Sequence, residues 1–201
     1  MNCHLNNITD EALLALSEHD QDSFYALMKR YEKKLFAYIR RMTPMSREDA
    51  EDILQEVYIK VYKHQKGFDP DLKFSSWIYR ITHNEVVNML RKRKIRSGTV
   101  SIDNTESDSG AFLALLADTM DIQETYISEE RGVKIRKALF HLPEKYREVL
   151  VLRYFEEKSY GEIGDILKIP QGTVATMVNR AKKRFEKASR QLNLTFQERQ
   201  Q

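Results

Sequence analysis

Residues 159–184 have the sequence SYGEIGDILKIPQGTVATMVNRAKKR, which carries the signals for two helices and a tight break between them. Ser159 and Glu162 have the spacing of a capping box, in which a hydroxyl and a carboxylate each accept a hydrogen bond from a free amide at the helix start. Pro170 and Gly172 mark the break. A short helix, a tight turn and a second helix with a polar, basic face predict a helix-turn-helix.

The spacing of apolar residues predicts helices on both sides of this motif. In the C-terminal part they span 129–141, 144–156, 159–168 and about 170–190, with Pro143 well placed at a helix start. In the N-terminal part the helices span 10–42, in two pieces broken near 19–22, then a helix capped by Ser46 that ends near Gly67, and a helix from Ile78 to about Lys94.

The composition supports a helical protein. Only 7 Gly and 4 Pro occur in 201 residues, too few turn residues for a many-stranded sheet. We predict an all-α fold with an N-terminal domain (1–97), a flexible acidic linker (98–128), a helix-turn-helix domain (129–192) and a tail (193–201). The single cysteine, Cys3, excludes a disulfide framework and a Cys-based zinc site. The chain has neither an apolar run of membrane-span length nor a signal-peptide pattern, which predicts a cytoplasmic protein without membrane insertion.

The charges are separated by sign along the chain, although the net charge is only +3. From Ser97 to Glu130 there is no Lys or Arg, whereas residues 91–96 and 180–190 are basic blocks. One charged run is usually a solvated helix face. Two basic runs, each ending a helical segment, favour binding to a polyanion such as DNA.

The order of these motifs resembles the extracytoplasmic-function (ECF) group of bacterial RNA polymerase sigma factors. The second sigma region resembles DAEDILQEVYIKVY at 49–62 and WIYRITHN at 77–84, and the fourth resembles LPEKYR at 142–147, SYGEIG at 159–164, IPQGTV at 169–174 and NRAKK at 179–183. The resemblance implies an alternative sigma factor that binds core RNA polymerase, recognises the minus-ten and minus-thirty-five elements of promoter DNA, and promotes transcription initiation. It also implies an anti-sigma factor as a partner.

An acidic helix face is the candidate polymerase contact. Asp52, Gln55 and Glu56 lie at positions i, i+3 and i+4 and therefore share one exposed face. In the family that this chain resembles, the corresponding face docks on a coiled coil of the largest polymerase subunit. Without the resemblance, a solvated face with Lys60 as the ion-pair partner of Glu56 is the simpler interpretation.

The resemblance assigns minus-ten recognition to an aromatic turn, from Phe68 to Phe74, and to the helix that follows it. There an Asn matching Asn84 helps to capture an extruded base, and basic residues further along neutralise phosphates. Phe74 and Trp77 either stack on bases or belong to the core. The predicted contact residues are Phe74, Trp77, Arg80, Asn84, Arg91, Lys92, Arg93 and Lys94. Relatives often carry an acidic residue where this chain has Asn88. Any role that the carboxylate has in those relatives is therefore not assigned to this chain.

The helix from Pro170 is the candidate reader of the minus-thirty-five element. Its first amides can approach a phosphate, and its polar side chains can enter a major groove. The predicted contact residues are Thr173, Thr176, Asn179, Arg180, Lys182 and Lys183. Ala175 and Met177 stand where many relatives have basic residues, so this helix has fewer direct donors.

Two other functions fit part of the sequence. A helix-turn-helix regulator that binds duplex DNA as a dimer, with 1–97 as a sensing or dimerisation domain, leaves the basic block and aromatic turn unexplained. A nuclease could use the carboxylates of Glu48, Asp49, Glu51 and Asp52 as metal ligands. That cluster lacks a companion Lys or His at motif spacing, and the five histidines are scattered. We therefore predict no enzyme, no catalytic residue, no metal and no cofactor.

Overall fold

A computed structural model describes residues 8–96 and 126–191 of the chain. Within these ranges the chain forms eight α-helices and no β-strand, which confirms the predicted all-α fold. They are α1 (Asp10–Leu16), α2 (Gln21–Met42), α3 (Arg47–His64), α4 (Phe74–Arg96), α5 (Tyr126–Phe140), α6 (Glu144–Leu150), α7 (Tyr160–Leu167) and α8 (Gln171–Gln191). No helix in the described ranges has both the length and the apolar character needed to cross a membrane.

Polar side chains cap four of these helices near predicted helix starts: Thr9 caps α1, and the caps of α2, α3 and α7 follow. Asp20 accepts hydrogen bonds from two amides in the first turn of α2, at 3.2 and 3.0 Å, and Ser46 accepts one in α3 at 3.1 Å. At the start of α7, the Glu162 amide donates to Ser159 Oγ at 3.2 Å and the Ser159 amide donates to Glu162 Oε2 at 2.9 Å. The capping box is therefore present, and such caps typically contribute about 1 kcal/mol each.

The N-terminal domain packs α2 against α3 and α4 around a buried core. Tyr38 of α2 and Tyr79 of α4 meet edge to face with their ring centroids 5.4 Å apart, and both are almost fully buried. Val86 continues the buried side of α4. This packing fixes which side of α4 remains available to partners.

The C-terminal domain contains α5, α6 and the helix-turn-helix formed by α7 and α8. α7 ends at Leu167, and the next residue, Lys168, has a φ of 55° in the left-handed region. A Cβ on Gly164 would lie 2.8 Å from the carbonyl oxygen of Ile169, so a side chain there would clash with the turn backbone. The tight predicted break is thus made possible by a glycine inside α7.

A π-helical segment, Val151–Phe155, follows α6. The amide of Glu156 donates to the carbonyl of Val151 at 3.1 Å, a bond that spans five residues instead of the usual four. The helix predicted over 144–156 therefore ends at Leu150 as an α-helix and continues as a wider turn.

Two further boundaries differ from the prediction. α4 begins at Phe74 rather than Ile78, and the Phe74 amide is satisfied by Glu11 Oε1 of α1 at 2.9 Å. α5 begins at Tyr126, inside the predicted linker. The rest of that linker and the predicted tail lie outside the described residues, so the domain limits stay predictions. The two domains touch, with α4 against α7 and α2 against the π-helical segment.

Candidate polymerase and nucleic-acid interfaces

The acidic face of α3 is exposed as the sequence predicts. Asp52, Gln55 and Glu56 are all exposed, and the opposite side of the helix is buried in the core. Lys60 does not pair with Glu56; its ammonium group instead binds Glu85 of α4. The carboxylate of Glu56 is therefore not engaged by the neighbour that the simpler interpretation assigned to it.

Two large apolar side chains extend this acidic face. The sequence-based prediction of the face did not include them. Ile59 is 44% exposed and Tyr62 is 53% exposed, one and two turns beyond Gln55. The Tyr62 ring packs edge to face on Phe24 of α2, with 5.4 Å between centroids. Their spacing continues the i, i+3, i+4 series that begins at Asp52. This spacing is the feature of the sequence that could have placed them on the same face.

The aromatic turn belongs largely to the core. Phe74 is completely buried and packs on Tyr31 with ring centroids 5.3 Å apart. Trp77 is partly buried and lies 5.2 Å from the Phe68 ring. Phe74 cannot stack on a base while it fills this core, so the structure corrects its assignment as a DNA contact; Trp77 keeps a partly open surface.

Farther along α4, two predicted minus-ten residues have different environments. Asn84 is exposed to solvent. Arg80 instead donates from Nε to the carbonyl oxygen of Asp165, 2.8 Å away in α7. Asn88, where relatives often have an acid, donates from Nδ2 to Glu85 at 3.4 Å.

The end of α4 presents the first basic block. Arg91 and Lys92 are exposed. Arg93 is also exposed, but its guanidinium pairs with Asp49 Oδ2 at 2.8 Å. The side chain of Lys94 lies outside the described part of the structure. The block therefore offers Arg91 and Lys92 most directly to a phosphate backbone.

The second helix of the helix-turn-helix, α8, presents the predicted polar face. Thr173, Thr176, Asn179, Arg180 and Lys183 are exposed, whereas Val174, Val178 and Ala181 are buried. The Thr176 hydroxyl donates to the carbonyl of Gly172 at 3.1 Å, one turn earlier in the helix. This arrangement fits a helix that reads a major groove.

Lys182 is directed to a different side of α8. Its ammonium group lies 5.2 Å from the centroid of the Tyr154 ring, and hydrogen bonding to Tyr154 raises its pKa. At 100° per residue it is displaced around the helix from both Arg180 and Lys183. Lys182 is one turn from Asn179, but its ammonium group lies against the Tyr154 ring and away from Arg180 and Lys183.

A basic groove beside this face brings Arg184 and Lys187 next to the predicted contacts Arg180 and Lys183. The groove has a volume of about 560 Å³ and is lined by Tyr146, Arg180, Lys183, Arg184 and Lys187. The Arg184 guanidinium lies 4.9 Å from the Tyr146 ring centroid, which holds the charge at the groove wall. Clustered cations along a recognition helix suit a phosphate backbone.

The acidic cluster considered for a nuclease is divided between ion pairs. Glu51 pairs with Arg47 at 2.9 Å, and Asp49 pairs with Arg93. Within residues 8–96 and 126–191, no group of three or more His, Cys, Asp or Glu side chains is arranged to hold a metal ion.

Comparisons with known proteins match both domains. The Sigma-70 region 2 family model matches residues 27–95, and the Sigma-70, region 4 model matches 132–185. The chain is 36% identical over 174 residues to the ECF RNA polymerase sigma factor SigW of Bacillus subtilis, covering 86% of this chain and 92% of SigW. It is 29% identical over 180 residues to the ECF RNA polymerase sigma-E factor of Escherichia coli, covering 89% and 93%.

Two solved structures share the fold. The structure of CnrH in complex with the cytosolic domain of CnrY matches with a TM-score of 0.64 at 21% identity, covering 89% of this chain and 95% of that chain. The sigma factor RpoE in complex with the anti-sigma factor NepR from Bartonella quintana matches with a TM-score of 0.57 at 22% identity, covering 79% and 91%.

Proposed function

The chain belongs to the extracytoplasmic-function group of bacterial RNA polymerase sigma factors, and we propose that it carries out this role through three separate surfaces. As an alternative sigma factor, it joins core polymerase, recognises promoter elements and promotes initiation. The separation of an acidic and apolar face on α3 from basic faces on α4 and α8 is the observation that carries our assignment.

The α3 face binds core polymerase. Asp52, Gln55 and Glu56 supply polar contacts, and the exposed side chains of Ile59 and Tyr62 supply apolar area next to them. Exposed apolar groups bordered by polar ones are typical of protein-binding surfaces.

The exposed side of α4 reads the minus-ten element. Asn84 offers both a donor and an acceptor to one base, and Trp77 and Arg80 lie on the same helix before it. Arg91 and Lys92 neutralise phosphates, with Arg93 and Lys94 next to them in the chain. Phe74 is left out because it is buried.

The exposed face of α8 reads the minus-thirty-five element. Thr176, Asn179 and Arg180 face the base edges, and Thr173 and Lys183 contact the backbone beside them. Arg184 and Lys187 extend the phosphate contact along the basic groove. Lys182 is left out because it is directed toward Tyr154.

The polymerase supplies the chemistry of RNA synthesis, so we assign no active site and no cofactor to this chain. We place it in the cytoplasm, together with the polymerase. One structural relative, RpoE, was solved with the anti-sigma factor NepR. We infer that an anti-sigma factor likewise binds this chain and covers the faces described above.

The deciding experiment is pull-down of the purified chain with core polymerase, followed by promoter-dependent transcription. A sigma factor needs core polymerase to start transcription at a promoter. A dimeric helix-turn-helix regulator would instead bind duplex promoter DNA by itself on paired half-sites. Tight duplex binding without polymerase, together with no stimulation of core enzyme, would replace our proposal with the regulator.

A further inference from the structure

The helix that carries the minus-ten residues starts without a capping side chain from its own sequence. α4 begins at Phe74, and the carbonyl oxygen of the preceding residue, Lys73, accepts hydrogen bonds from the amides of Ser76 and Trp77 at 3.0 and 3.2 Å. A capping residue normally offers a side-chain oxygen to the first free amides, whereas the ammonium group of a lysine can only donate. The first turn of α4 therefore needs an acceptor from another part of the chain.

Glu11 of α1 supplies this acceptor. Its Oε1 lies 2.9 Å from the amide nitrogen of Phe74, which donates the hydrogen bond, although the two residues are 63 positions apart in the sequence. A negative charge beside the start of a helix is also favoured by the helix dipole. Glu11 is partly buried and Phe74 is completely buried, so water does not readily take the place of the carboxylate. Glu11 is therefore the cap of α4, contributed by a different helix.

Contacts at both ends fix the position of α1. At its start, Asp10 Oδ1 lies 2.8 Å from Arg30 Nη1, and the other carboxylate oxygen accepts a hydrogen bond from the hydroxyl of Tyr31. Just after its end, Ser17 Oγ lies 2.7 Å from Oε1 of Gln65, which follows α3, and both side chains are buried. α1 is therefore held against α2 and against the end of α3, so the capping carboxylate is in place before any promoter binds.

The capped turn carries Trp77, one of the candidate minus-ten residues. The Trp77 ring packs on the rings of Phe68 and Phe74, with centroid distances of 5.2 and 5.8 Å, and the residue remains partly exposed. Asn84 lies about 10 Å farther along the helix, where Val86 anchors α4 in the core. Loss of the cap should therefore loosen the Trp77 end of the reading surface and leave the Asn84 end in place.

We propose that Glu11 is a positioning residue for minus-ten recognition: its carboxylate caps α4 from α1 and holds the first turn so that the open side of Trp77 faces the promoter strand. None of the residues assigned to the three surfaces lies on α1, which also precedes the region 2 match at 27–95. The proposal rests on the proposed function for its ligand, the minus-ten strand. The cap itself and the placement of Trp77 belong to the free chain.

Trp77 is the single tryptophan of the chain, so its fluorescence reports on the first turn of α4 in the full-length protein. Glu11→Ala removes the acceptor, and Glu11→Asp keeps the charge but shortens the side chain by one methylene group. Glu11→Gln keeps an acceptor oxygen at the same length. Glu18→Ala removes an exposed carboxylate just after α1 and is the matched control.

Glu11→Ala and Glu11→Asp should each raise the acrylamide quenching constant of Trp77 by at least about twofold, because a helix turn without its cap opens more often. Glu11→Gln should stay close to the wild type, and Glu18→Ala should match it. Unchanged quenching in Glu11→Ala and Glu11→Asp would overturn the proposal, and so would an equal increase in Glu11→Gln. If Glu11→Ala loses helicity in circular dichroism, Glu11→Asp and its comparison with Glu11→Gln decide.

A second measurement separates the role of Glu11 from the proposed function. Holoenzyme binding to single-stranded minus-ten oligonucleotides should weaken at least about threefold in Glu11→Ala, with an unchanged salt slope because the phosphate contacts remain. Glu11→Gln should restore the binding. If Asn84→Ala relaxes base discrimination but Glu11→Ala leaves binding unchanged, Glu11 has no role in recognition and the proposed function stands. A wild type that does not discriminate between oligonucleotide sequences would instead contradict the assigned minus-ten surface, and with it the role of Glu11 in recognition.

Discussion

Arg93, near the end of α4, donates a hydrogen bond to Asp49 in the first turn of α3, with 2.8 Å between Nη2 and Oδ2. The bond ties the basic end of one helix to the acidic start of another. Lys92, one residue earlier, is exposed. We therefore expect Arg93 to affect both the packing of α3 on α4 and DNA binding, and Lys92 to affect DNA binding alone.

Base reading and phosphate binding on α4 should respond differently to mutation. Asn84→Ala should cost about 1–3 kcal/mol on the preferred minus-ten sequence and relax discrimination at one base, because it removes a base-edge contact. Lys92→Ala should weaken all sequences alike and reduce the salt slope by about one. Holoenzyme binding to a panel of minus-ten sequences at several salt concentrations measures both effects. Equal, sequence-independent losses would make Asn84 a structural residue.

Replacing Asp52, Gln55 and Glu56 together by Ala should weaken binding to core polymerase by at least about tenfold, a loss typical of residues central to an interface. The fold should remain, because all three side chains are exposed. Tyr62→Ala should have a similar effect through lost apolar contact. Affinity for core polymerase can be measured by fluorescence anisotropy, with Glu51→Ala as the control. Native affinity of the triple variant would remove α3 from the interface.

The two basic residues Arg180 and Lys182 of α8 should differ in their effect on promoter binding, because only Lys182 is directed toward Tyr154. Arg180→Ala should lower promoter affinity by about 1–3 kcal/mol and relax selectivity in the minus-thirty-five element. Lys182→Ala, two residues away, should change affinity by less than about 0.5 kcal/mol, since its ammonium group lies over Tyr154. Both variants can be compared in holoenzyme binding assays. A larger loss from Lys182→Ala than from Arg180→Ala would mean that the duplex approaches the Tyr154 side.

Gly164→Ala should destabilise the C-terminal domain by roughly 1–3 kcal/mol, because the new Cβ would lie 2.8 Å from the carbonyl oxygen of Ile169 and force the turn to move. Gly132→Ala is the matched control: its Cβ would meet nothing within 4 Å. In the middle of α5 it should stabilise by up to about 1 kcal/mol through helix propensity. Urea denaturation gives both values, and a neutral Gly164→Ala would show that the turn adapts freely.

Glu148 of α6 should make stability depend on pH. Burial raises the pKa of its carboxyl from 4.5 to about 7, with repulsion from Glu144 adding to the shift and Arg147 opposing it. The folded state therefore holds a proton that the unfolded chain releases, so this contribution is present below about pH 4.5 and is lost as pH rises to about 7. The side chain introduced by Glu148→Gln does not ionise, so this variant does not lose stability at this position as the pH rises.

The free energy of unfolding of Glu148→Gln relative to the wild type should thus increase between about pH 4.5 and 7, by no more than about 3 kcal/mol, and stay level above that. Denaturant titrations at several pH values give the difference directly. A difference that is independent of pH would show that Glu148 is well solvated in the folded protein.

Local sequence signals predicted most of the fold, because caps and apolar spacing act within a few residues. Asp20, Ser46 and Ser159 mark helix starts without any tertiary information. Phe74 was ambiguous, since an aromatic residue after a turn is equally suited to a core and to a stacking site; only the position of Tyr31 resolves it. Lys182 and Lys183 of α8 are equivalent candidates in the sequence, and the contact of Lys182 with Tyr154 is what distinguishes them in the structure.

The contact between the domains had no such signal. Arg41 and Glu156 are separated by 115 positions in the sequence, and a single Arg or Glu at a helix end is ordinarily solvated. Their meeting depends on how α2 and the π-helical segment are placed by two different cores. Pairings of this kind require the tertiary structure.

The π-helical segment Val151–Phe155 makes the chain sensitive to length at one place. An α-helix advances by about 100° per residue, so deletion of one residue here would restore ordinary helical winding and rotate the following backbone by about that angle. Glu156 would then be turned away from Arg41 although neither side chain had changed. The residue count between Leu150 and Glu156 matters here as much as residue identity. Insertions and deletions in this segment should therefore be tolerated less well than most substitutions.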